Sequence, residues 1–259
     1  MKKISLILFM LLFGESMIAQ SAFDIMETAR KKTKISGLES ISTLVIRDAK
    51  DRERIRKTAM ASKEYPGKIE KRIIRFMEPA DVKGMGMLIV DNDDREDDMW
   101  VYIPANRQSR RIVSSEKSKS FMGSEFSNAD MSAPNMNDFN YQILGEEVIS
   151  GQLCWKIEMR PINTNKEDEY GFLRKISWIN KSDNILTQSE YYDFDDELHK
   201  TLSILEYREM DKINHKFIIT NMKIDNLQNG RSSDMVMDQV IFNPNVPDKY
   251  FTMTYLEKP

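Results

Sequence analysis

Two histidines, His199 and His215, and one cysteine, Cys154, are the only side chains of their kinds in this 259-residue chain. Hydrolytic chemistry needs a nucleophile beside a base, and zinc chemistry needs three or four closely spaced His, Cys or carboxylate ligands. The chain has no His-Glu-x-x-His, no paired cysteines and no Gly-x-Ser-x-Gly. The two histidines fall on separate predicted strands and read as surface or hydrogen-bonded residues. Ser114-Ser115-Glu116-Lys117 fits Ser-x-x-Lys, and Ser182-Asp183-Asn184 fits Ser-Asp-Asn. Both motifs occur in penicillin-binding proteins and β-lactamases, but the third, Lys-Thr-Gly, is absent. The first follows a predicted strand ending at Val113 and the second sits in a predicted hairpin turn, so both read as chance matches. The acidic run Asp91 to Asp98 invites a calcium reading. An EF-type loop needs an oxygen ligand at position 5 and Gly at position 6, where this run has Arg95 and Glu96. It reads as a solvated hairpin tip, as does Asp193 to Glu197. No catalytic residue and no metal or cofactor site is therefore expected.

The elements around these residues follow a strand grammar. Trp155, Ile157 and Met159 alternate with Lys156, Glu158 and Arg160. Phe172, Ile176 and Trp178 are predicted to share a face of the next strand. Gly84 to Val90 is apolar at both parities, which predicts burial on both faces. Gln228-Asn229-Gly230 is a strong hairpin signal. About ten or eleven strands follow one another at intervals of roughly 10 to 15 residues, the signature of an all-β sandwich or barrel. Ahead of them, Phe23, Ile25, Met26 and Ala29 predict an amphipathic helix over residues 22–33, with basic residues at its far end. The alternation fails between Ser118 and Asp138, where a short helix around Phe121 to Ala129 is predicted to cover an opening.

The first twenty residues have the three parts of a secretory signal. Lys2 and Lys3 precede an apolar stretch from Ile4 to Phe13, and Ser16 and Ala19 are small residues near a cleavage point at Ala19 or Gln20. The expected mature chain, residues 21–259, has no Pro- or Gly-rich linker and reads as a single exported domain without a membrane span. Its net charge is −3 with the leader and −4 after residue 20, which excludes a nucleic-acid partner. A single cysteine rules out an internal disulfide framework, so stability must come from a core. Eighteen methionines, 15 of them after residue 20, are the compositional oddity. Methionine is flexible and polarizable, and it suits walls that accept variable apolar shapes. A curled sheet of eight or more strands leaves room for a small ligand. If flexible apolar side chains line that room, the natural cargo is an acyl chain, stabilised by roughly 0.8 kcal/mol per buried methylene.

One stretch carries a family resemblance. Phe76-x-x-Pro79 with Lys83-Gly84, then Trp100-x-Tyr102-x-Pro104, Arg110-Arg111-Ile112 and Ser120-Phe121-Met122-Gly123-Ser124-x-Phe126 occur in this order. The succession resembles the LolA-like outer-membrane lipoprotein-sorting family, best between Phe76 and Asp130. The resemblance implies a mainly β (α+β) fold: an incomplete antiparallel β-barrel of about 10 to 11 strands with short helices over its open side. It implies a non-enzymatic periplasmic carrier whose hydrophobic cavity takes the acyl chains of lipoproteins or phospholipid towards the outer membrane. An inner-membrane exporter and an outer-membrane acceptor would be its partners. Met85, Met87, Ile89 and Trp100 would lie near the sheet interior, and Phe121, Met122 and Phe126 on the covering segment. The resemblance assigns no lid-holding arginine; Arg75, Arg110 and Arg111 merely lie in the matched stretch. The alternative is a non-carrying envelope scaffold or an accessory subunit of an RND-type exporter, with a closed core and an exposed apolar patch.

Overall fold

The computed structural model describes residues 21–67, 69–92 and 95–258. The leader expected over residues 1–20 lies outside the described residues. The first element is the predicted helix α1 (Ala22–Thr33). Ser21 caps it by accepting from the Asp24 amide at 3.1 Å, and Arg30, Lys31 and Lys32 occupy its last turn. Ala22, Ile25 and Ala29 recur at helical spacing and are the buried stripe.

Thirteen strands follow. They are β1 (Leu38–Arg47), β2 (Glu53–Tyr65), β3 (Ile69–Glu78), β4 (Gly86–Asp91), β5 (Asp98–Ile103) and β6 (Gln108–Arg111), then β7 (Phe139–Ile149), β8 (Gln152–Pro161), β9 (Arg174–Asn180), β10 (Leu186–Tyr192), β11 (Leu198–Asp211), β12 (Lys216–Asn226) and β13 (Arg231–Phe242). Short helices α2 (Ser114–Lys117), α3 (Thr164–Tyr170) and α4 (Met253–Leu256) interrupt or end the series. All thirteen strands form one antiparallel sheet in the order β6-β5-β4-β3-β2-β1-β13-β12-β11-β10-β9-β8-β7. The β1–β13 pairing joins the first and last strands mid-sheet, and β6 and β7 remain as free edges, so the barrel is incomplete. No helix among the described residues is long and apolar enough to cross a membrane.

Three details differ from the sequence reading. Among the described residues the count is 13 strands rather than ten or eleven. The edge strand β7 escapes a pattern search because most of its residues are exposed and its register shifts at Gly145. The helix predicted around Phe121 to Ala129 is absent. Met122 and Gly123 adopt left-handed backbone angles, φ 52° and 78°, and turn the chain back so that the Phe121 amide donates to the Phe126 carbonyl at 2.7 Å. Phe172 lies before β9 and joins the main core, whereas Ile176 and Trp178 pack around Cys154 on another face.

The sheet is covered on both sides where the sequence is apolar at both parities. Met87 and Ile89 of β4 and Met99 and Val101 of β5 join the main core with Leu44, Phe76, Phe121 and Phe126. Leu88 and Tyr102 face the opposite way, against Val246, Phe251 and Leu256 of the C-terminal segment, with Trp100 packed on that cluster. Arg75 holds this segment by donating to the Tyr255 and Lys258 carbonyls. The guanidinium also lies over the Tyr255 ring, 4.7 Å from its centroid.

Gly171 ends α3 in a left-handed conformation, φ 78°, its amide donating to the Glu167 carbonyl at 2.7 Å. A Cβ there would come 2.7 Å from the Ser118 Cβ, beyond the end of α2. Gly171→Ala therefore combines a left-handed alanine with a clash between two packed segments. It should lower unfolding free energy by about 2 kcal/mol or more in urea titration.

Candidate functional site

Helix α1 and residues 121–136 lie over the concave face of the sheet and border a half-open cavity of about 410 Å³. This falls in the lower part of the ~300–1,000 Å³ range of small-molecule sites. Its wall holds eight methionines: Met26 on α1, Met60 on β2, Met131 and Met136 on the covering segment, Met159 on β8, Met222 on β12, and Met235 and Met237 on β13. Leu44, Ile74, Phe121, Ile179, Leu186 and Ile218 complete much of the apolar surface. Strand period explains the set, because Met235 and Met237 share a face of β13 while Met222 stands opposite Met235 in the β12–β13 register.

Basic groups of the sheet tie the covering segment down. Arg56 donates to the Met122 carbonyl and Arg72 to the Met131 carbonyl. Arg231 donates to the Gly123 carbonyl at 2.8 Å, and Lys200 to the Glu125 carbonyl at 3.0 Å. The buried Glu125 side chain meets Arg231 at 2.9 Å and accepts from Asn226 at 2.8 Å. Arg75, Arg110 and Arg111 play no such part: Arg75 holds the C-terminal segment, while Arg110 and Arg111 pair with Glu116 and Asp98.

Of the sequence-predicted cavity residues, Phe121 is on the cavity wall. Met87, Ile89 and Phe126 are buried in the same core behind it, and Met85 and Met122 pack against that core. Trp100 belongs to the other face of the sheet, with the C-terminal segment. The structure thus brings six of the seven together and separates Trp100. Among the wall methionines, the β12–β13 set escaped the sequence reading. The hairpin at Gln228-Asn229-Gly230 carries the signal, since its register aligns Met222 with Met235.

The residues first weighed for chemistry are dispersed. His199 on β11 lies 3.1 Å from the Asn226 amide nitrogen, and burial lowers its pKa. His215 lies in the turn before β12 rather than on a strand, 2.8 Å from Glu209. Ser114 opens the one-turn helix α2, and the ammonium of Lys117 is held by Glu169 at 2.5 Å. Ser182-Asp183-Asn184 forms a turn in which Asp183 accepts from Tyr207 at 2.7 Å.

The acidic tip is less solvated than its sequence suggests. Asp91 and Asn92 are buried, and the Asn92 amide donates to Asp97 at 2.9 Å. Burial raises the Asp91 pKa; Arg72, 3.9 Å away, opposes this, and Asp97 and Glu70 reinforce it. The native state therefore holds a proton on Asp91 at pH values where the unfolded chain, near 3.8, has lost it. This contribution to stability falls as pH rises above that value. Asp91→Asn removes the penalty, so the variant should gain on the wild type between pH 5 and pH 8, by about 1 kcal/mol or more at the upper end, in parallel urea titrations.

A family model described as "Uncharacterized protein"-like matches residues 68–258. No curated protein matches the chain. Among solved structures, an outer membrane lipoprotein-sorting protein domain from Vibrio parahaemolyticus is similar at 24% identity and TM-score 0.83, over 92% of this chain and 98% of that one. A DUF1329 family protein from Desulfovibrio piger is similar at 27% identity and TM-score 0.82, over 91% and 97%. A LolA superfamily protein from Nitrosomonas europaea is similar at 21% identity and TM-score 0.68, over 91% and 99%.

Proposed function

The chain belongs to the family whose model covers residues 68–258 and has the LolA-like fold of lipoprotein-sorting proteins, and on that premise we propose that it is a periplasmic lipid carrier. Its cargo is the acyl part of a lipoprotein or other lipid, held in the concave cavity and moved towards the outer membrane. The observation that carries this reading is the methionine wall. A closed core would fill the space between sheet and covering segment, whereas here about 410 Å³ stays open between them. Eight unbranched thioether side chains around that space can follow the bends of an alkyl chain without a fixed partner shape. Burial of each methylene then gains roughly 0.8 kcal/mol.

The site works by binding alone: it shields a chain from water and releases it to an acceptor. The carrier reading leaves no role for a nucleophile or metal. An apolar dye whose emission rises in a dry environment tests the reading. The mature protein should take it up stoichiometrically and lose it to added lysophospholipid. No uptake, or uptake that lipid does not displace, would favour the scaffold or exporter-accessory reading.

A further inference from the structure

The cavity wall carries three cations, Arg30, Arg72 and Lys175, against two carboxylates, Glu70 and Asp130. Arg72 is committed to Glu70 at 2.9 Å and to the Met131 carbonyl. Lys175 is different. It stands on β9, where Lys175, Ser177 and Ile179 face the cavity and Ile176 and Trp178 face away. Its Nζ donates to the Tyr191 hydroxyl at 2.9 Å and lies 4.4 Å from the centre of that ring. Among the described residues no carboxylate comes within 4.0 Å of it. Asp130 accepts instead from the Ser127 amide and hydroxyl at 2.7 and 2.8 Å, and from Tyr191 at 3.4 Å. The lysine is half-buried, and part of its free surface borders the cavity. A half-buried ammonium with no carboxylate in direct contact is costly: burial lowers its pKa, and Asp130 on the far side of Tyr191 offsets this only in part. An anion entering the cavity would relieve that cost with a charge-assisted hydrogen bond.

We propose that the cavity takes a single-chain amphiphile whose anionic head group, a carboxylate or a phosphate monoester, pairs with Lys175 beside Tyr191 while its chain lies among the methionines. One chain suits a cavity at the small end of the range. The inference rests on the carrier reading and adds the head-group chemistry to it.

Competition of laurate, dodecyl phosphate and dodecanol against the apolar dye tests it. The three share a chain and differ in the head. The wild type should bind at least one anion about tenfold to a hundredfold more tightly than the alcohol. Lys175→Met should lose the preference for anion over alcohol, and Lys175→Arg should keep it. A laurate preference points to a fatty-acid head, and a dodecyl phosphate preference to a phosphate-monoester head. If the wild type binds all three alike, or Lys175→Met keeps the preference, the anchor is wrong and the carrier reading stands. If none of the three displaces the dye, both fail. Should Lys175→Met not fold by circular dichroism, the wild-type ratio of anion to alcohol decides alone.

Discussion

Tryptophan at Met222 or Met235 should abolish uptake of an apolar ligand while the protein stays folded. Both methionines are half-buried and line the cavity, and they face each other across β12 and β13. A tryptophan there extends into open space rather than into packed atoms, so the overpacking cost should stay near or below ~1–3 kcal/mol. The same bulk occupies room the ligand needs. Dye affinity should fall at least tenfold for each variant, and the double variant should show no saturable binding. Met77→Trp is the control, because Met77 is 45% exposed and outside the cavity. It should bind as the wild type does. Unchanged affinity in Met222→Trp and Met235→Trp would place the ligand elsewhere.

Glu169→Ala should be the most destabilising single substitution in the short helices α2 and α3, at about 3–5 kcal/mol. Glu169 on α3 is 4% exposed and receives Lys117 of α2 at 2.5 Å and Lys166 at 2.8 Å. Lys166 also reaches Asp138 at 3.0 Å, and Tyr170 donates to Asp138 at 2.8 Å. Removing Glu169 leaves Lys117, 8% exposed, as a buried charge without its counterion. Burial pushes the Glu169 pKa up, but Lys117 and Lys166 outweigh it and hold the group below its ordinary 4.5. Its stabilisation is therefore present above pH 4.5 and is lost as pH falls through the lower native value. Lys117→Met combined with Glu169→Leu removes both charges and should recover most of the loss in urea titrations at pH 7.

What could be read from the sequence follows the strength of each local pattern. The helix over residues 22–33 was legible because its stripe and its basic end agree. The strands β1 to β5 and β8 to β13 were legible because one or both of their faces are buried. Gly84 to Val90 even announced burial on both sides, and the structure puts Met87 and Ile89 in one cluster and Leu88 in another. The edge strand β7 left little trace, since an edge with one wet face has a weak pattern. The segment from Ser118 to Asp138 was recognisable as a cover but not in conformation. Its shape is set by left-handed turns and by carbonyls held by Arg56, Arg72 and Arg231, partners far away in sequence.

The site was legible in kind and less so in detail. Methionine abundance pointed to a pliable cavity, but the family resemblance drew attention to Met87, which is buried in the core, and to Met85, which packs against it. The wall methionines are spread over α1, β2, the covering segment, β8, β12 and β13 and converge only when the sheet curls. Strand β9 inverts the usual inference. Its more apolar face, Ile176 and Trp178, packs around Cys154, and its more polar face, Lys175 and Ser177, lines the cavity. A search for the hydrophobic face of that strand therefore selects the wrong side of the sheet.

Native mass spectrometry of the mature protein, purified from the periplasm without detergent and followed by organic extraction, tests the central claim most directly. The account predicts a bound mass that extracts as an acyl-bearing lipid or lipopeptide and is absent from the Met222→Trp/Met235→Trp variant. A bare polypeptide mass, unchanged after incubation with lipid vesicles and lipopeptides, would contradict it.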